Sequence, residues 1–260
     1  MTEMAIQNSV RLENVSKSFR NGRDHVLRGV TIEFPASQLT YILGSSGAGK
    51  SVLLKHVLGL LKPDSGEVWV AGVKMNDLRG RELAEHRKVF GMLFQNAALF
   101  DDQTLFENVA FPLYEHTKLN DDQIREKVTH VLTQLGMKSD YDKYPNEISG
   151  GMRKRVGLAR AIVREPEILL YDEPTTGLDP VTRTMVDEMI ETLKNELKLT
   201  SIVISHDIPS ALRLADHIAF LHEGKIVFWG NASEFRNSKH EAIVKFMNAE
   251  ERAFEALHGT

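Results

Sequence analysis

Two glycine-rich runs and one acidic pair hold the residues of this chain best suited to chemistry. The first run, Gly44-Ser45-Ser46-Gly47-Ala48-Gly49-Lys50-Ser51, has the spacing G-x-x-x-x-G-K-[ST]. Its glycines let backbone N–H groups turn inward around phosphates, and a helix starting there adds favourable partial charge. Lys50 would neutralise β- and γ-phosphates, and the Ser51 hydroxyl would ligate Mg²⁺. The second run, Ile148-Ser149-Gly150-Gly151-Met152, offers a hydroxyl and two unobstructed backbone N–H groups at another helix start, a second anion site.

The acidic pair Asp172-Glu173 closes the apolar run Ile168-Leu169-Leu170-Tyr171. Asp172 therefore emerges at the C-terminal end of a strand, where ligands collect in open α/β sheets. There it would hold Mg²⁺ through a water, and Glu173 would orient or deprotonate an attacking water. Gln95 ends another expected strand and can reach both the metal and that water. His206 follows the run Ser201-Ile202-Val203-Ile204-Ser205 at a third strand end. Taken alone, such a histidine is a loop residue or a structural donor.

The elements that must position these groups can be read from periodicity. Leu39–Leu43 is an apolar strand leading into the first glycine run. Val52, Leu53, Leu54, Val57, Leu58 and Leu61 then cover most of a helix circumference, as in the middle of a layered fold. Further strands are expected at Gly66–Ala71, Val89–Gln95, Ile168–Asp172, Ser201–Ser205, His217–Leu221 and Lys225–Trp229. Glu223-Gly224 joins the last two in a tight hairpin.

From Asn96 to Arg164 the pattern turns mostly helical. Ile124, Val128, Val131, Leu132 and Leu135 form one face, with Asn120 and Gln123 as the starting cap and Gly136 as the stop. Ser149 starts a helix that must end near Glu165, before Pro166. Its charges Arg153, Lys154, Arg155 and Arg160 read as a solvated face. Thr182–Leu197 is a further helix with Val186, Met189, Ile190, Leu193 and Leu197 inward. Alternating apolar runs and helical patterns predict an α/β fold, with residues 96–164 inserted as a helical lobe into a core of 1–95 and 165–235, and 236–260 as a helical extension.

Composition narrows the classes. The 260 residues are 42% hydrophobic, enough for a substantial core, and a net charge of −4 gives no basic field for nucleic acid or anionic lipid. No cysteine is present, which excludes disulfides and thiolate metal sites. No apolar run reaches the about 18 residues of a spanning helix, and Met1 to Ser9 lacks a signal-peptide layout. A soluble chain is expected, with any membrane role supplied by a partner.

In this order and spacing the motifs resemble the ATPase subunit of an ATP-binding-cassette (ABC) machine, over roughly residues 10–235. The resemblance implies a P-loop NTPase (RecA-like) core with an antiparallel β edge, binding ATP and Mg²⁺. It implies that His206 contacts the γ-phosphate. It also explains the second glycine run: Ser149, Gly150 and Gly151 of one copy would close over the nucleotide on another, making ATP the adhesive of a head-to-tail pair. Asp179, in Gly177-Leu178-Asp179-Pro180, would lie at that seam, or simply cap the helix at Pro180, or both. Phe19 would stack on adenine with Val26 in support, although a core role suits Phe19 nearly as well.

A narrower similarity rests on Met152, on Gly91-Met92-Leu93-Phe94-Gln95-Asn96-Ala97-Ala98-Leu99-Phe100, on Glu107-Asn108-Val109-Ala110-Phe111-Pro112-Leu113 and on Glu115-His116-Thr117. These look like the ATPase of Mla-type phospholipid transporters, which maintain outer-membrane lipid asymmetry. That implies a peripheral place on the cytoplasmic face of a bacterial inner membrane. Residues 96–117 would grip permease helices, or pack within the lobe. An MCE-domain lipid-binding protein and a small regulatory subunit would complete the complex. The tail, with Ile243, Val244, Met247, Phe254 and Leu257 at helical spacing, would serve subunit contact or pack on its own chain. DNA-repair members need a long coiled-coil insertion, for which the stretch between Ser51 and Ser149 is too short, and ribosome-associated members generally carry two cassettes.

Overall fold

Val10, Leu12 and Val15 are fully buried along β1 (Asn8–Phe19), which pairs antiparallel with β2 (Asp24–Pro35). The pairing shifts register between Leu12 and Val15, so an extra residue breaks the two-residue alternation that would betray a strand. The computed structural model describes residues 8–20 and 22–258, with side chains over 9–20 and 22–249. Phe254 and Leu257 of the expected tail face therefore lie outside the described side chains, and Met1 to Gln7 outside the described backbone. Two compact units emerge: Met1–Arg87 with Ile202–Thr260, and Lys88–Ser201.

In the first unit β3 (Leu39–Leu43) is buried at every position and runs through the glycine loop into α1 (Lys50–Val57). The helix stops at Val57, so Leu61 lies beyond it, while Leu53, Leu54 and Val57 are buried as expected. β4 (Ser65–Val70) and β5 (Val73–Lys74) complete the antiparallel sheet β2-β1-β4-β5, followed by the short α2 (Gly80–His86).

The second unit opens on a single 3₁₀ turn, Arg87–Val89, shared with the end of the first. β6 (Phe90–Leu93) follows and is shorter than the expected Val89–Gln95. Gln95 consequently sits in a turn beyond the strand end, not at the end itself. Next come α3 (Leu105–His116), capped by a Thr104–Glu107 capping box, and α4 (Asp121–Gln134), capped by Asn120 and Gln123 as the sequence predicts. Gly136, at φ 74°, ends α4 in the left-handed region. α5 (Gly150–Ile162) has Ser149 as its N-cap and stops three residues short of Glu165. β7 (Ile168–Asp172) pairs parallel with β6. α6 (Pro180–Leu197) buries Val186, Ile190 and Leu193, but Leu197 is 41% exposed, so the expected inward face ends one turn early.

The first unit resumes at Ile202, within β8 (Thr200–Ile204), whose Ile202–Ile204 precede α7 (Ile208–Leu214). β9 (His217–His222) runs parallel to β3, while β10 (Lys225–Gly230) runs antiparallel to β9. The tight turn between them has Glu223 and Gly224 both at positive φ, 47° and 77°, as a two-residue hairpin requires. α8 (Ala232–Arg236) and α9 (Glu241–His258) finish the chain. The first half of α9 packs on its own unit: Ile243 is fully buried, and the Phe246 ring centroid lies 5.1 Å from that of Phe220.

Candidate functional site

The glycine loop Gly44–Ser51 in the first unit turns through backbone conformations that favour glycine. Gly44, Gly47 and Gly49 have φ of 154°, 79° and 108°, and a Cβ on Gly44 would run into the main-chain oxygen of Leu221 on β9. A Cβ on Gly49 would lie 3.0 Å from the Val26 main-chain oxygen. The loop is thus wedged between β9 and β2, and Val26 is brought against it. Ser45, Ser46 and Gly47 are exposed, whereas Ala48, Gly49 and Lys50 are buried. The Lys50 ammonium donates to the main-chain oxygens of Gly44 (2.5 Å) and Ser45 (3.2 Å), which holds a buried positive charge against the loop. Ser51 stands exposed in the first turn of α1.

His206 leaves β8 beside that loop's strand, since the Ser205 N–H donates to the Ile42 carbonyl at 3.2 Å. The ring is half-buried. Phe19 ends β1 opposite Asp24 and is 37% exposed, with the Lys17 ammonium 5.8 Å from its ring centroid. Exposure removes the core role that the sequence left open for it.

In the second unit Asp172 is the half-buried last residue of β7. Glu173 follows at φ 49°, a strained conformation for a residue with a Cβ, and its carboxylate accepts a 2.8 Å hydrogen bond from the Thr176 hydroxyl. Ser149 is exposed at the start of α5, and its oxygen accepts from the Met152 N–H, leaving its hydroxyl hydrogen to donate elsewhere. Asp179 caps α6, accepting from Val181 and Thr182 N–H at 3.0 Å each and from the Thr182 hydroxyl at 2.5 Å. The Thr182 hydroxyl, followed by the helix N–H groups, holds the Asp179 carboxyl below the usual carboxylate range. A Cβ on Gly151 would stand 3.1 Å from the Thr182 Cγ2. Two helix N-termini, one starting after Ser149 and one after Asp179, therefore lie side by side.

The basic residues of α5 are not the solvated face that their charge suggests. Lys154 is only 4% exposed and donates to the main-chain oxygen of Gln95. Arg160 donates to the main-chain oxygens of Ala97 (2.7 Å) and Ala98 (2.8 Å) and lies over the Phe100 ring. Arg153 donates to the oxygens of Pro145 and Ile148. From the other side Asn108, fully buried on α3, accepts from the Phe100 N–H and donates to the oxygens of Phe100, Gln103 and Thr104. Lys154 and Asn108 are buried polar residues that motif reasoning passes over, and half-buried Thr176 is distinguished only by its bond to Glu173.

An open groove of about 320 Å³ in this unit is lined by Phe94, Phe100, Phe111, Pro112, Arg160 and Arg164 among others. Phe94, Phe100 and Phe111 are 42%, 40% and 38% exposed.

Among known proteins, the family described as ABC transporter matches residues 27–176. The chain is 38% identical, over 92% of its length and 69% of the relative's, to the probable ribonucleotide transport ATP-binding protein mkl of Mycobacterium leprae. It is 38% identical, over 94% of its length and 92% of the relative's, to the intermembrane phospholipid transport system ATP-binding protein MlaF of Haemophilus influenzae. A solved dimeric ATP-binding cassette in a post-hydrolysis state, bound to ADP and Pi, superposes with a TM-score of 0.76 at 30% identity, covering 86% of this chain and 98% of that one.

Proposed function

The chain belongs to the ABC transporter family and is an ATP-binding ATPase subunit of that family, and on that premise we propose that it drives phospholipid transport through a membrane permease, working as a pair that closes around ATP. Among the described residues no helix is long and apolar enough to cross a membrane. Attachment to the cytoplasmic face of an inner membrane would then come through partners.

The observation that carries the paired motor is the exposed Ser149 hydroxyl at one of two adjoining helix N-termini. Those N-termini collect N–H donors and partial positive charge that suit a phosphate held by a second copy. In this reading the loop Gly44–Ser51 binds the phosphates, Lys50 neutralises them, and Val26 with exposed Phe19 borders the base. Glu173 accepts a proton from the attacking water as the bond to the γ-phosphorus breaks, yielding ADP and phosphate. His206 donates to the γ-phosphoryl oxygens as charge develops, and Gln95 orients the water. The oxygen donors of Ser51, Asp172 and Gln95 suit Mg²⁺, which supplies neutralising charge when bound.

The lipid assignment is supported by the full-length similarity to MlaF, and the three exposed phenylalanines suit a permease helix gripped by residues 96–117. An MCE-domain lipid-binding protein and a small regulatory subunit belong to the same proposal, as does a subunit-contact role for residues 250–260. A second reading, transport of another substrate, is favoured by the mkl relative. Purifying the native membrane complex decides between them: an MCE-domain subunit and bound phospholipid support the first, and a complex without either supports the second.

A further inference from the structure

We propose that Lys154 and Arg160 make α5 a strut that fixes the segment 95–104, so that both act as positioning residues for Gln95 and for the apolar groove behind it. The inference rests on the proposed reading of Gln95 as the residue that orients the attacking water.

The geometry is one of spacing. Lys154, Gly157 and Arg160 recur every three residues and so share one helix face. All three meet the same segment: Lys154 the oxygen of Gln95, Gly157 the Ala97 side chain, Arg160 the oxygens of Ala97 and Ala98. A Cβ on Gly157 would stand 2.9 Å from the Ala97 Cβ and 3.1 Å from the Leu93 Cδ1, so the helix backbone touches the segment directly. Along α5 these contacts extend from Lys154 to Arg160, a length of about 9 Å at 1.5 Å per residue.

Chemistry gives the second argument. Burial pushes the Lys154 ammonium down to about 8, so the fold bears an unfavourable charge at neutral pH for the sake of one carbonyl. A methionine would fill the same volume without that burden. What the lysine adds over a methionine is the hydrogen bond to the Gln95 carbonyl, which fixes that backbone position. The segment's other fastening, Asn108 on α3, holds Phe100, Gln103 and Thr104 and leaves Gln95 to Lys154.

The test uses the full-length chain and the variants Lys154→Met, Lys154→Gln, Arg160→Met and Gln95→Ala, with MgATP. Lys154→Met is expected to lower kcat at least tenfold with KM for ATP changed less than threefold and no fall in Tm. Lys154→Gln, which keeps an N–H donor, should recover kcat to within about threefold of the starting protein. Amide hydrogen exchange across residues 95–104 should accelerate about tenfold in Lys154→Met and Arg160→Met, with that of 124–132 unchanged. Unaltered exchange, an unaltered kcat, or a kcat loss that merely follows a falling Tm and is not recovered by glutamine would overturn the strut. Full turnover in Gln95→Ala would instead remove the reading of Gln95, and the proposal with it.

Discussion

The Thr176 hydroxyl donates a 2.8 Å hydrogen bond to Oε2 of Glu173, and Glu173 itself holds a φ of 49°. A strained backbone and a tethered carboxylate at one residue are what a proton acceptor of fixed direction requires. Glu173→Gln should lower kcat for ATP by about 10²–10⁴, the usual share of acid–base catalysis. It should also leave nucleotide bound, visible as a dimer by size exclusion with ATP. Thr176→Val, which frees the carboxylate and keeps its charge, should cost about tenfold in kcat. Steady-state turnover of both variants checks the pair, and full activity in Glu173→Gln removes it from catalysis.

Gly49 sits at φ 108° with the Val26 carbonyl at contact distance of any added Cβ. Gly49→Ala should destabilise the fold by about 1–3 kcal/mol, the cost of a strained backbone position, and weaken ATP binding as well. Urea unfolding and binding of a fluorescent ATP analogue measure the two effects. A loss of binding without loss of stability would place the fault in the phosphate contacts alone.

Phe111 and Leu113 lie two residues apart on α3 and should behave oppositely. Phe111 is 38% exposed at the groove, while Leu113 is 1% exposed in the core. Phe111→Glu should abolish lipid transfer in reconstituted complexes and keep ATP binding. Leu113→Asp should lower Tm and all functions together, because an unpaired buried carboxylate has no partner. Retained lipid transfer in Phe111→Glu would count against the groove as a docking surface.

Asp179 gives a pH dependence of known sign. Its folded carboxyl lies below its unfolded value, with the Thr182 hydroxyl as the largest cause. Its contribution is therefore complete above the unfolded value of about 4 and is lost as pH falls through the lower folded value. The Tm difference between the starting protein and Asp179→Asn should be constant from pH 7 to pH 5 and shrink below pH 4. A difference that grows on acidification would reverse the assignment.

Much of this arrangement was legible in the residues themselves. The loop Gly44–Ser51, the Asn120–Gln123 box, the Ser149 cap and the Glu223-Gly224 turn each depend on neighbours in sequence, and local chemistry announces them. β1 and β2 escaped because their bulges break alternation. Lys154 and Leu113 escaped for a different reason. A charge run reads as surface, since lysine is almost never fully buried, and an apolar face does not say which of its members meets water. Gln95 lies beyond the end of its strand, and its main-chain oxygen is bonded by Lys154, 59 residues downstream, a contact invisible to any local pattern.

Ala97 and Ala98 hold φ of 58° and 48°, one after the other, where alanine has no liking for the left-handed region. At roughly 1–2 kcal/mol each, the two residues store about 2–4 kcal/mol. Much of what Arg160 contributes by gripping both carbonyls therefore goes into keeping a turn that two alanines would otherwise leave.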